Sequence, residues 1–341
     1  MMTDIQPQTV RARELYGDYW FNSEPVLVSA LRGSVILIQF WDYTCASCIR
    51  SLSYVKEWQR KYEPYGLTVV GVHTPRFPFG QNPEEVERAL RRFGIKYPVV
   101  MDNVALIASH YDSRGWPTFF LVDKSGFIRY RKEGEGNYAA MEHAIQTLLY
   151  DAGVGEELPL PMEALRDMDR VGAVCYRATP EIHAGYLRGS IGNVEGYSPE
   201  SVVNYVDPGI YLDGRFYAAG DWMNGRDSLR LNEEGGGEGH IILDYQGLEV
   251  GGVLRREGKG RVEVEIRQDE RFLTGETRGD DVRLSPDGRS YLVVTEPRLY
   301  NIIRNGEYGE HVLRLSMHGN SFAVYSFSFL TAAIPELVSK N

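Results

Sequence analysis

The chain has 341 residues, which suggests two domains at roughly 150 residues each. Hydrophobic residues make up 43% and charged residues 25%, a balance that excludes a disordered chain, a collagen-like fibre or a coiled coil. A net charge of −10 with no long Lys/Arg cluster argues against nucleic acid as a partner, and no apolar run approaches the ~18 residues of a membrane helix.

Met1 to Pro7 has no basic segment followed by an apolar one, so no signal peptide is expected. Ser34 to Trp41, after Gly33, reads as a buried strand. Apolar or aromatic residues at 49, 52, 54, 55, 58 and 62 then suit a helix ending near Pro64 and Gly66. Leu67 to Val72 is a second apolar strand, and strand, helix, strand makes a βαβ unit with a parallel pair. Asn82-Pro83-Glu84-Glu85 opens another helix, with Asn82 capping and solvated pairs expected at Glu84–Arg88 and Glu87–Arg91. Tyr97 to Met101 is a short strand. Pro117 to Asp123 and Phe127 to Tyr130 form two strands around the turn Lys124-Ser125-Gly126, and Tyr138 to Tyr150 closes the unit as a helix.

Gly153 and Pro159-Leu160-Pro161 break this pattern. The expected division is a first domain over 1–155 with its core at 34–150, a linker over 156–165, and a second domain over 166–341. Beyond the linker glycine punctuates the chain and period-2 segments replace helical ones, as in Val262 to Ile266 and Phe322 to Phe329. Ile241 to Leu243, Tyr291 to Val294 and Val312 to Leu315 add strands. The fold class is therefore an α/β domain followed by an all-β sandwich, jelly-roll-like.

The chemistry centres on Cys45-Ala46-Ser47-Cys48, which runs off the first strand into the first helix. A cysteine at a helix N-terminus meets unpaired N–H groups and the positive end of the helix dipole, which favour thiolate. Cys45 is expected as the exposed attacking thiolate, with Cys48 one turn behind to resolve the mixed disulfide. A zinc site would need a second C-x-x-C or a His pair, and neither is present, so neither metal nor organic cofactor is called for. Trp116-Pro117-Thr118 stands just before an apolar strand. A cis bond there would turn the preceding backbone toward the cysteines; a trans loop proline is the alternative. Trp41, Thr44, Trp116 and Pro117 are the candidate walls of a substrate groove, Trp116 being equally compatible with core packing. His73 reads as a structural histidine at a strand end, and Cys175 among apolar neighbours as a buried, inert side chain.

Taken together, this order of elements with C-x-x-C and X-Pro-Thr resembles the thioredoxin-like fold. More narrowly it is similar to the TlpA/ResA/DipZ branch of membrane-linked or exported thiol–disulfide proteins. Residues 34–150 carry the resemblance: Phe40-Trp41, Gly71-Val72-His73-Thr74-Pro75, Met101-Asp102-Asn103, Trp116-Pro117-Thr118 and Gly134-Glu135-Gly136-Asn137-Tyr138. In DipZ proteins the thioredoxin-like domain precedes a β-rich domain resembling a carbohydrate-binding module, in line with the change of pattern here. The resemblance implies a thiol–disulfide oxidoreductase with protein thiols and disulfides as partners, and a glycan or protein ligand for the β-domain, where Trp222 is either a stacking platform or core. This chain departs from the pattern at three places. Gln39 stands where thioredoxins keep a buried acid, leaving Glu135 or a bound water as base; Ser47 replaces the usual proline; and Arg76 stands where TlpA/ResA-type proteins often have glutamate.

Two other readings use the same residues. One is a thiol peroxidase in which Thr44-Cys45 attacks peroxide and Cys48 resolves the sulfenic acid. The other is a non-enzymatic binding or adaptor protein. Gly235-Gly236-Gly237 is flanked by Glu233, Glu234 and Glu238, which would repel phosphate, so it reads as a turn. An odd cysteine and the absent leader place a complete chain in the cytoplasm; an excised DipZ-like region would be extracytoplasmic.

Overall fold

The computed structural model describes residues 5–232, 238–258, 260–318 and 322–337; the Gly235–Gly237 turn lies outside these. The chain divides into two compact units, Met1–Val171 and Gly172–Asn341.

In the first unit the elements run β1 (Trp20–Phe21), β2 (Val35–Trp41), α1 (Ala46–Tyr62), β3 (Leu67–His73), α2 (Pro83–Phe93), β4 (Val99–Met101), α3 (Leu106–His110), β5 (Thr118–Val122), β6 (Ile128–Glu133) and α4 (Tyr138–Ala152). They form a six-stranded sheet in the order β1-β4-β3-β2-β5-β6, with β2, β3 and β4 parallel and the rest antiparallel. All seven residues of β2 are buried, which is why its sequence is an apolar run interrupted only by Gln39 rather than an alternation. Ile36, Ile38 and Phe40 pack on one face with Val70, Val72 and Tyr111. Gln39, on the opposite face, meets Ser51 of α1.

Local signals act as expected. Asn82 Oδ1 accepts from Glu84 N at 3.0 Å and Pro83 occupies the first turn of α2. Glu87 pairs with Arg91 at 2.7 Å, whereas Arg88 reaches Glu85, one position nearer than expected. Asp123 Oδ1 gathers the N–H groups of Ser125 and Phe127 (both 3.0 Å), and Gly126 takes a φ of +85° to close the β5–β6 turn.

The segment expected as a linker, 156–165, is fastened to the first unit. The Pro159 carbonyl accepts from Gln146, Met162 N–H donates to Glu142, and Leu165 N–H donates to the Tyr54 hydroxyl at 2.7 Å. Tyr54 in turn donates to Asp169 at 2.9 Å. A Pro-rich stretch looks like a free connector in sequence, yet here its backbone groups are satisfied by helix side chains.

The second unit is strand-rich: β7 (Ile182–His183), β8 (Val202–Tyr205), β9 (Phe216–Asn224), β10 (Leu229–Leu231), β11 (Glu238–Arg256), β12 (Val262–Gln268), β13 (Arg271–Phe272), β14 (Arg283–Leu284), β15 (Ser290–Val294), β16 (Arg298–His318) and β17 (Phe322–Leu330). β11 and β16 pair along nearly their whole length. The free edge of β11 pairs first with β9, over His240–Leu243, and then with β17, over Glu249–Arg256. Bulges between Gly247 and Glu249 and between Val250 and Gly251 mark that change of partner. The inward side chains share one core, with Trp222, Phe216, Leu243, Val264, Leu315 and Phe327 among its buried members. Gly252 lies at a close approach: a Cβ there would sit 2.8 Å from Ile302 Cδ1, so that side chain would have to shift. Trp222 is wholly buried and its indole N–H donates to the Ala219 carbonyl at 2.8 Å, so it is core and not a stacking platform. Cys175, expected buried, is half-buried beside Ala333.

Candidate redox site

Strand β2 delivers Asp42-Tyr43-Thr44 and then Cys45, which caps α1. The Cys45 sulfur accepts the N–H of Cys48 at 3.2 Å. The Ser47 hydroxyl sits 3.2 Å from the same sulfur and 3.4 Å from the Trp116 carbonyl, joining the C-x-x-C turn to the Trp116–Pro117 segment. The Trp116–Pro117 peptide is cis. Both cysteines are free.

Cys45 was expected to be exposed, but only 4% of it is, because its sulfur turns back over the first helical turn to accept these hydrogen bonds. Burial pushes its thiol up; the Cys48 side chain, the Arg76 charge, the Ser47 hydroxyl and the Cys48 N–H outweigh this and hold it below the ordinary thiol value. Cys48 is wholly buried, and burial together with Cys45 pushes its thiol well above the ordinary value. The two thiols are thus shifted in opposite directions, Cys45 toward the thiolate and Cys48 away from it.

Of the groove candidates, Trp116 is part-exposed and Pro117 buried beside the turn, whereas Trp41 and Thr44 do not line a groove. Trp41 is wholly buried, edge-on to His73, and the Thr44 hydroxyl is spent on Asp42. Gln39 is buried as an amide, donating to Ser51 Oγ at 3.2 Å and accepting from the Tyr97 hydroxyl at 3.1 Å. Glu135, considered as a base, is held in a two-point fork by Arg50 (2.9 and 2.6 Å). Burial pushes its carboxyl up, but the Arg50 fork holds it below the usual carboxylate range.

Sequence reasoning missed Asp42. It is fully buried and accepts from Thr44 N at 2.6 Å, the Thr44 hydroxyl and Arg76 N at 3.0 Å. Its Oδ2 lies 3.4 Å from His73 Nε2. Burial pushes this carboxyl up, and the His73 ring, Thr44 and Arg76 outweigh it. The signal was an acid at the end of an otherwise apolar strand, three residues before Cys45. Among the described residues no group of three or more His, Cys, Asp or Glu side chains is placed to hold a metal, and no helix is long and apolar enough to cross a membrane.

Sheet order, C-x-x-C turn and facing proline define a thioredoxin-like domain. Residues 22–149 match the Redoxin family, and residues 179–329 match a family described as thioredoxin like C-terminal domain. In both units the chain is similar to thioredoxin-like thiol–disulfide oxidoreductases, and it spans less than a third of the length of the DipZ proteins it matches. It is 35% identical over 232 residues to protein DipZ of Mycobacterium tuberculosis, a match covering 67% of this chain and 30% of that protein's length. Thiol-disulfide oxidoreductase ResA of Geobacillus kaustophilus is 29% identical over 102 residues, covering 30% of this chain and 56% of ResA. Among solved structures, a thioredoxin-like superfamily protein is similar at TM-score 0.40 and 27% identity, covering 44% of this chain and all of that one. A thiol:disulfide interchange protein from Chlorobium tepidum is similar at TM-score 0.37 and 21% identity, covering 42% of this chain and 99% of that one.

Proposed function

We propose that this protein exchanges thiols and disulfides with cysteines of partner proteins, with Cys45 as the attacking and Cys48 as the resolving sulfur. The observation that carries this reading is the asymmetry of the pair: Cys45 receives hydrogen bonds at the N-terminus of α1 and its thiol is held low, while Cys48 is wholly buried behind it with its thiol pushed up. In reduction of a partner, the Cys45 thiolate attacks a partner disulfide and releases one partner thiolate. Cys48 then attacks Cys45 Sγ, the second partner thiolate leaves, and the partner has gained the two electrons that the new Cys45–Cys48 disulfide has lost. Oxidation of a partner runs the same steps backwards. Trp116 and Pro117 flank the sulfur where a partner segment would lie, and we assign partner or ligand selection to the β-rich unit.

The test is Cys48→Ser, which leaves the mixed disulfide unresolved. It should accumulate covalent adducts with partner proteins that dithiothreitol releases and that Cys45→Ser does not form. A Cys48→Ser protein that traps nothing under either oxidising or reducing conditions contradicts the reading. The peroxidase alternative is disfavoured by Thr44, whose hydroxyl is committed to Asp42.

A further inference from the structure

The strand-rich unit holds a cleft of about 570 Å³, lined by the loop 278–282, by β14 and by the facing ends of β15 and β16. Hydrogen bonds fix its walls before any ligand arrives. Gly279 N–H donates to the Ile302 carbonyl at 2.8 Å and Arg304 N–H to the Thr277 carbonyl at 3.0 Å, which fastens the loop to β16. The fit is close, since a Cβ on Gly279 would run into the Asn301 carbonyl. Asp281 Oδ1 and Oδ2 accept from Arg298 at 2.7 and 3.0 Å, and Oδ2 also takes the Asn301 N–H at 2.7 Å. Asp280 is spent in the same way, its two oxygens accepting from Arg304 at 3.1 and 2.8 Å.

Both carboxylates of the cleft are therefore neutralised, but two of its arginines are not. Arg278 gives one Nη1 bond to the Val282 carbonyl at 2.8 Å, and its Nε and Nη2 have no acceptor among the described residues. Arg283 on β14 has no partner among the described residues at all. Solvation accounts for one exposed arginine. It accounts less well for two lining one cleft whose acids are already paired, in a chain of net charge −10. Guanidinium groups take planar or tetrahedral oxyanions at two points, and a cleft of this volume suits a small ligand. We propose that it binds a compact organic anion, a carboxylate or a phosphate ester, with the head group on Arg278 and Arg283 and the body against Leu284 and Val293. The exposed Thr295 hydroxyl is a further donor at the rim. The proposal deepens the ligand role assigned above to the β-rich unit and does not depend on thiol exchange.

The experiment is isothermal titration calorimetry on the full chain, in neutral Tris buffer of low ionic strength, with benzoate, phenyl phosphate and the uncharged benzamide. At least one of the two anions should bind, with benzamide about tenfold weaker or worse, and Arg283→Gln should weaken that anion about tenfold, the worth of hydrogen bonds to a charged group. Arg278→Gln should act in the same direction. The urea midpoint of Arg283→Gln should match wild type, because Arg283 has no polar partner to lose. Arg289→Gln alters an exposed arginine that pairs with Asp287 outside the cleft, and should leave the affinity unchanged. Tighter benzoate identifies the ligand as a carboxylate, and tighter phenyl phosphate as a phosphate ester. Binding of neither anion up to about 10 mM overturns the proposal. So does benzamide binding as well as the anions, an unchanged affinity in Arg283→Gln, or an equal loss in Arg289→Gln. Each of these leaves the Cys48→Ser trap unaffected, so the two readings fail separately.

Discussion

Asp42 Oδ2 lies 3.4 Å from His73 Nε2, with neither side chain reaching solvent. A carboxylate and an imidazole facing each other at the ends of two parallel strands, next to a cysteine-capped helix, are costly to bury unless they interact. That relationship ties the fold to the chemistry: β2 and β3 run in register with Trp41 opposite His73, and Asp42, just past the end of β2, places its carboxylate beside the histidine.

The Arg76 charge is one of the groups that lower the Cys45 thiol. Arg76→Gln should therefore move the midpoint of Cys45 alkylation to higher pH, measured as the iodoacetamide rate against pH with mass-spectrometric assignment of the modified cysteine. An unchanged midpoint would leave the Cys48 side chain, the Ser47 hydroxyl and the Cys48 N–H as the cause.

Asp123 is buried and serves the β5–β6 turn, accepting from Ser125, Phe127, Gln8 (2.6 Å) and Arg129 (3.1 Å). Burial raises its carboxyl, and these donors bring it below the ordinary value. Its stabilisation is thus present above the unfolded value of about 3.9 and is lost as pH falls through the lower folded value. Asp123→Ala should cost about 1–3 kcal/mol at neutral pH, and urea titrations should show the difference from wild type shrinking in acid. A difference that grows in acid would reverse the sign.

Trp222→Ala should destabilise the protein by about 3–5 kcal/mol in urea denaturation, the usual cost of emptying a large buried site. A variant of wild-type stability that loses only affinity for a glycan would contradict the placement of this side chain in the core.

The Tyr54 hydroxyl joins Leu165 N–H to Asp169. Tyr54→Phe removes both contacts and should open residues 158–169 to limited proteolysis, at a cost of about 1–3 kcal/mol. Cleavage no faster than in wild type would show that the Glu142 and Gln146 contacts suffice.

Most of the first unit was legible because β2, β3, β4 and β5 are short, buried and separated by strong punctuation such as Asn82-Pro83 and Ser125-Gly126, whereas the two-residue β1 and the short α3 were not read. The cysteine pair and Pro117 were legible because few chemistries use that spacing. Three things were not. The extents of β11 and β16 were hidden because β11 changes partner midway, with irregular pairing around Gly247 and Gly251. The inward turn of Cys45 depends on its own helix-capping hydrogen bond. Asp42 and His73 are 31 positions apart, and only the parallel register of β2 and β3 brings them together.

The most direct test of the account is thiol trapping of Cys45 and Cys48 after equilibration in glutathione buffers of graded potential. The account predicts one reversible two-electron transition in which both cysteines lose and regain reactivity together, joined as an intramolecular disulfide. Two thiols that remain alkylatable at every potential, or that oxidise independently of each other, would contradict it.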